Sequence, residues 1–251
     1  KNPTHQINIG LVGKYVELND SYKSILESLI HAGTENEVKV NVKSIHSEYL
    51  DKENINKELI DLDGIIVAPG FGQRGLDGKI LAVEYARVNK IPFLGICLGM
   101  QMAVIEYARN VKKIRYANST EISEKCKDPV IDLMTSQKEI INKGGTMRLG
   151  AWDCEILKNT ISNKIYSKKV VSERHRHRYE FNDEYSKKIF DENFIVAGKN
   201  PETNLVEIVE NKDHPWFVGV QFHPEFKSRP FEPHPLFSSF IKAAGIKERK
   251  N

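Results

Sequence analysis

Gly95-Ile96-Cys97-Leu98-Gly99 stands between an apolar run, residues 91–94, and an apolar-periodic stretch over residues 100–108. The order strand, tight turn, helix is that of a nucleophile elbow with a thiol at its apex. A side chain at either glycine would crowd a turn that holds its central residue in a strained conformation. The helix that begins there points its N-terminus at the sulfur, which favours thiolate over thiol. Taken alone, the pentapeptide also fits a buried strand end with tight packing.

Outward from the elbow, strands and helices alternate through the first half of the chain. Residues 7–12, 38–45, 65–68 and 92–96 read as strands and residues 80–88 as a helix. Asp20 is placed to cap a further helix whose apolar face is Ile25, Leu26, Leu29 and Ile30, with Gly33 as its stop. Repeated βα units with nearly continuous apolar strands predict a parallel sheet covered on both faces. In such sheets sites gather at the carboxyl ends of strands, where Cys97 falls.

The second half changes character. Residues 112–150 are polar and weakly patterned, with a turn at Lys143-Gly144-Gly145-Thr146. Beyond them come shorter strands at 152–157, 170–181, 195–198, 205–209 and 217–222, then a helix over 236–244 ending at Gly245. No linker-like stretch separates the halves. The fold expected is α/β: a mostly parallel central sheet with helices on both faces and an antiparallel extension.

The bulk numbers exclude several classes. With 251 residues and 40% hydrophobic content, the chain can bury one sizeable core. Its charges nearly cancel at +3, which argues against nucleic-acid binding. No apolar run approaches the ~20 residues needed to cross a bilayer, and the first six residues carry no signal-peptide core. The cysteines, Cys97, Cys126 and Cys154, are too few and scattered for a disulfide framework or zinc ribbon, so a soluble protein of a reducing, cytoplasmic compartment is expected.

A cysteine nucleophile needs a base, and the base an orienting group. The apolar strand 217–222 runs into His223-Pro224-Glu225. If strand geometry persists, His223 and Glu225 point to one side, so the carboxylate fixes the imidazole tautomer and favours its charged form. A strand-end histidine satisfied by backbone is the plainer alternative, and the companion Glu225 and Gly-x-Cys-x-Gly weigh against it. Donors for an oxyanion come from the N–H of Leu98 and from the glycine-rich run Ala68-Pro69-Gly70-Phe71-Gly72-Gln73-Arg74-Gly75, where Gly70 permits close backbone approach. That run lacks the Lys-Ser/Thr of a phosphate loop.

Arg174-His175-Arg176-His177-Arg178 is the other unusual string. On a strand its arginines share one face and its histidines the other. A metal held by His175 and His177 lacks an adjacent third ligand, and a phosphate patch has little support at this net charge, so no metal site is assigned. Cys126 and Cys154, with no glycine elbow, read as structural or surface thiols.

With Cys97, His223 and Glu225 placed, the chain closely resembles the class I glutamine amidotransferases, and within them the glutaminase domains of CTP synthases. The shared signals are the stretch from Gly95 to Gln101 and Gln221-Phe222-His223-Pro224-Glu225. More specific are Gly13-Lys14-Tyr15-Val16-Glu17-Leu18 with Tyr22-Lys23-Ser24, Asn118-Ser119-Thr120-Glu121, Gly145-Thr146-Met147-Arg148-Leu149-Gly150, and Arg174 through Glu180. One departure is Pro69, where the family usually carries a glycine before the one matched by Gly70; it restricts the loop.

The resemblance implies that Cys97 attacks the side-chain amide of glutamine, that His223 protonates departing ammonia, and that water hydrolyses the glutamyl thioester. It implies glutamine binding by Gly70, by Leu98, Gly99, Met100 and Gln101, by Glu121 and by Arg178. A carboxylate such as Glu121 suits the α-ammonium of glutamine. No cofactor is expected within this domain. The ammonia would serve an N-terminal amidoligase domain of the same enzyme, a homotetramer, that uses ATP and Mg to phosphorylate UTP and aminate it to CTP, with GTP as activator. No phosphate-loop motif for such a domain is present, so residues 1–6 are read as a linker remnant and residues 7–251 as the glutaminase. Lys23, Glu27 and Arg74 would face the amidoligase domain. Two other readings compete: a free-standing cysteine hydrolase of γ-glutamyl peptides, and a catalytically silent interaction module.

Overall fold

The computed structural model describes residues 3, 5–15, 21–133 and 147–248. Five parallel strands form the heart of a nine-stranded sheet: β1 (His5–Gly13), β2 (Val38–His46), β3 (Gly64–Val67), β4 (Phe93–Ile96) and β12 (Phe217–Val220), in the order β2-β1-β3-β4-β12. β3, β4 and β12 are buried along their whole length, as continuous apolar strands between two helix layers must be. From β12 the sheet continues antiparallel through β11 (Val206–Asn211), β10 (Phe194–Lys199), β7 (Arg148–Ile156) and β8 (Val170–His177). The α/β sheet with an antiparallel extension is therefore the one the sequence predicts.

Helices α3 (Leu76–Val88) and α4 (Leu98–Asn110) cover one face, and α1 (Lys23–Glu35) and α7 (Pro235–Glu248) the other, each over its own apolar cluster. Short helices α2 (Ile55–Leu59), α5 (Ile161–Tyr166) and α6 (Ser186–Ile189) fill the connections. None of the described helices is long and apolar enough to cross a membrane.

Several expectations are corrected. Gly33 does not stop α1, which runs on to Glu35; a Cβ there would lie 2.9 Å from Val40 Cγ2 and 3.0 Å from Val38 O, so the glycine serves close packing of helix on strand. Ile30 is exposed, and Ser28 and Ala32 complete the buried face instead. Gly245 likewise lies inside α7, and α3 begins at Leu76 rather than residue 80. The weakly patterned run 112–150 hides β5 (Ala117–Ser119) and β6 (Asp128–Leu133), which pair with β9 (Tyr179–Phe181) as a separate three-stranded sheet. The expected strand 170–181 is thus two strands in two sheets, broken at Arg178. His5 and Gln6, read as linker, open β1. Asp20 and the turn Lys143-Gly144-Gly145-Thr146 lie outside the described residues.

Candidate active site

Cys97 joins the end of β4 to the start of α4 with φ 53° and ψ −103°, a conformation sparsely populated by residues with a side chain. The surrounding backbone enforces it. A Cβ on Gly95 would lie 2.7 Å from Gly99 C and O, and one on Gly99 would lie 2.2 Å from Val67 O. Cys97 N–H donates to Val220 O at 2.7 Å, tying the elbow to β12. Of the first amides of α4, those of Met100 and Gln101 donate to Cys97 O at 3.1 Å and 3.3 Å, while those of Leu98 and Gly99 precede the helix's own hydrogen-bond ladder.

β12 ends at Val220, two residues before the predicted strand end. His223-Pro224-Glu225 instead enters a 3₁₀ turn, Pro224–Phe226, begun by the fixed backbone of Pro224. The turn brings His223 Nδ1 to 2.7 Å from Glu225 Oε1, and the His223 backbone N–H to 2.8 Å from Arg174 O. Phe226 stacks on the imidazole, ring centres 4.9 Å apart. His223 Nε2 is buried without a hydrogen-bond partner. Burial opposes charge on this ring, but the Cys97 sulfur and the Glu225 carboxylate outweigh it and raise the imidazole pKa to about 10.

Two cavities, each about 340 Å³, meet at Cys97 and Gly70. The first is lined by Leu98, Gln101, Glu121 and Arg178, with Phe71, Met147, His177 and Tyr179. The second holds His223 and Glu225, with Arg176, Phe226, Tyr15 and Ser24. Of the predicted binding residues, Gly99 and Met100 line neither; Met100 is fully buried in the core behind α4. Lys23 and Glu27 are exposed on α1, and exposed Arg74 pairs with Glu48 at 3.3 Å.

The glycine-rich loop is held by charge. Fully buried Lys79 donates to Ala68 O at 2.6 Å, and Lys14 donates to Gly72 O at 2.9 Å and to Phe71 O. Gly72 N–H donates to Glu121 Oε1 at 2.8 Å, so a predicted ligand residue also braces the loop. Burial, reinforced by neighbouring Lys14, lowers the Lys79 pKa to about 7.

His177, absent from the predicted site, belongs to a buried ring of polar groups behind it. His177 Nε2 lies 2.9 Å from His175 Nδ1, His175 Nε2 lies 3.5 Å from Glu207, and Arg148 reaches Glu207 at 2.6 Å and Glu180 at 3.3 Å. Burial, and then Arg148, lower both imidazoles, His175 to about 2 and His177 to about 3. Burial raises Glu180 to about 8 and Glu207 to about 7 against the pull of Arg148. The alternation of β8, exposed arginines and buried histidines, is the signal that places His177 inward. The described residues contain no group of three or more histidine, cysteine, aspartate or glutamate side chains able to hold a metal ion.

The family profile described as glutamine amidotransferase class-I matches residues 17–243, and the chain belongs to that family. Relatives to which it is similar include CTP synthases. It is 62% identical to the CTP synthase of Christiangramia forsetii over 244 residues, 97% of this chain and 45% of that protein. It is 59% identical to that of Clostridium acetobutylicum over 250 residues, 99% of this chain and 47% of that protein. The chain thus spans about half the length of the curated relatives it matches. A solved glutaminase domain of Trypanosoma brucei CTPS, with bound acivicin, superposes with TM-score 0.89 at 40% identity, covering 96% of this chain and 94% of that one. A Thermotoga maritima glutamine amidotransferase shares the fold, with TM-score 0.56 at 13% identity, over 98% of this chain and all of that one.

Proposed function

We propose that the chain hydrolyses the side-chain amide of glutamine at Cys97 and supplies the ammonia to an amidoligase domain that converts UTP to CTP. The observation that carries the reading is the meeting at Cys97 of a strained elbow, a Glu225-bound imidazole and a cavity with Glu121 and Arg178 on its wall. Glutamine enters that cavity with its α-ammonium on Glu121 and its α-carboxylate on Arg178. The proton of Cys97 passes to His223, and the thiolate attacks the amide carbon. The oxyanion that forms accepts from the N–H groups of Leu98 and Gly70. His223 gives its proton to the nitrogen, the C–N bond breaks, and ammonia leaves behind a glutamyl thioester. His223 then takes a proton from water, hydroxide adds to the thioester carbon, and the C–S bond breaks to release glutamate.

We propose the whole enzyme's part of this reading from the family resemblance alone: ATP, Mg and UTP at the amidoligase domain, GTP as activator, a cytoplasmic homotetramer, and Lys23, Glu27 and Arg74 facing the partner domain. The test compares glutamine with a γ-glutamyl peptide as substrate, by glutamate released, with and without the amidoligase domain, UTP, ATP, Mg and GTP. Preference for glutamine, stimulated by the complete set, is expected. Preference for the peptide would support a free-standing γ-glutamyl hydrolase and overturn the proposal, and inertness toward both would support a silent module.

A further inference from the structure

The sulfur of Cys97 has a hydrogen-bonding neighbour in Gln221 Nε2, at 3.7 Å. Which end of that amide faces the sulfur is fixed by its surroundings. The backbone carbonyl of Tyr179 can only accept, and the Gln101 side-chain amide meets it at 3.0 Å, so the Gln101 nitrogen must lie there. The same nitrogen has its second N–H toward Gln221, whose amide lies 3.2 Å away. A donor on that side requires the Gln221 oxygen to face Gln101, which leaves the Gln221 nitrogen turned to Cys97. Tyr179 O is also faced by His177 Nδ1 at 3.2 Å, within the capacity of a carbonyl with two lone pairs.

All three side chains are buried, Gln221 at 0%, Gln101 at 2% and Cys97 at 3% exposure, which limits competition from water for these bonds. The Gln221 backbone is held in turn, its N–H donating to Glu207 O at 2.9 Å. One proton donor whose direction is set by a main-chain carbonyl is thus aimed at the reacting atom. We infer that Gln221 is a further catalytic residue, donating to the Cys97 thiolate, and that Gln101 is the positioning residue that keeps the Gln221 amide from flipping. An N–H beside the sulfur stabilises the anion over the thiol and fixes the sulfur rotamer. A flipped amide would put an oxygen against the anion. The inference rests on the proposed role of Cys97 as nucleophile and deepens it.

Thiol alkylation reads the donor without requiring glutamine. The 251-residue chain and its Gln221→Met, Gln221→Glu and Gln101→Met variants are treated with iodoacetamide at about neutral pH, and the Cys97 peptide is followed by mass spectrometry. Gln221→Met keeps length and neutrality but has no donor, so labelling should slow by about tenfold to a hundredfold, the worth of a hydrogen bond to a charged group. kcat for glutamine should fall in step and KM stay within about twofold, a split that a general packing defect would not produce. Gln101→Met should slow labelling less, and the double variant no more than Gln221→Met alone. If Gln221→Met fails to fold by circular dichroism, Gln221→Glu keeps the volume and sets an oxygen against the sulfur, and should be slower still. Labelling of a folded Gln221 variant at the wild-type rate would overturn the inference. Donor-dependent labelling in a wild-type chain inert toward glutamine would instead overturn the proposed function and leave the hydrogen bond standing.

Discussion

Gly99→Ala tests the elbow by its sterics. The added methyl carbon would lie 2.2 Å from Val67 O and 3.1 Å from Val67 C, both backbone atoms. Val67 ends β3, a strand buried along its whole length, so no rotamer change relieves the overlap. The N-terminus of α4 must retreat by about 1 Å to restore ordinary contact distances. Overpacking of this size costs about 1–3 kcal/mol of stability. A nucleophile displaced by about 1 Å loses roughly a hundredfold in rate. Urea unfolding measures the first effect, and glutamate release at saturating glutamine the second. Gly245→Ala is the control: nothing lies within 4 Å of the same methyl there, and the site is inside α7. An alanine in a helix interior gains about 0.5–1 kcal/mol over glycine, with activity unchanged. Wild-type stability and wild-type kcat in Gly99→Ala would refute the steric reasoning.

Three further outcomes follow from the charges. In Glu225→Gln the imidazole loses the carboxylate that favours its charged form, so its pKa falls from about 10 and the alkaline limb of kcat/KM moves to lower pH. An unmoved limb would show that another group sets it. Glu121→Gln loses the charge opposite the α-ammonium and should raise KM for glutamine by about tenfold or more with little change in kcat, measured by initial rates. Lys79, lowered to about 7, binds its proton less readily folded than unfolded, so wild-type stability rises with pH from about 7 toward the ordinary lysine range. Below that window the folded chain carries a charged ammonium in its interior. Lys79→Met should therefore be more stable than wild type at about pH 6, with the gain fading toward about pH 10, as denaturant titrations at both pH values would read.

The parallel half of the fold is legible because its strands are short apolar runs between amphipathic helices, and the elbow because two glycines flank a cysteine where a strand meets a helix. Gly33 and Gly245 mislead for one reason: a helix tolerates glycine when packing needs no side chain or leaves no room for one. β5 and β6 escape notice because their sheet has only three strands and half-buried faces, so no apolar alternation marks them. The His223–Glu225 pairing is readable as a pair, but the 3₁₀ turn that closes it depends on Pro224 and not on strand alternation. Gln221 lies in a shared motif and the alternation of β8 turns His177 inward, but neither signal by itself assigns the residue a part in the site. Their place follows from contacts with residues 120 positions away in one case and from a strand switching sheets at Arg178 in the other.

The central claim is that Cys97 is the sulfur that attacks glutamine, and its most direct test is covalent capture. A chloro-ketone analogue of glutamine is incubated with the chain, with and without excess glutamine, and every cysteine peptide is examined by mass spectrometry. Cys126 and Cys154 are internal controls, since burial pushes both of their thiols up, Cys154 far more strongly. The account predicts one equivalent of label, on Cys97 alone, with glutamine protecting and with none in His223→Ala on the same time scale. Label spread over the other two cysteines, or labelling of Cys97 that glutamine does not slow, would contradict it.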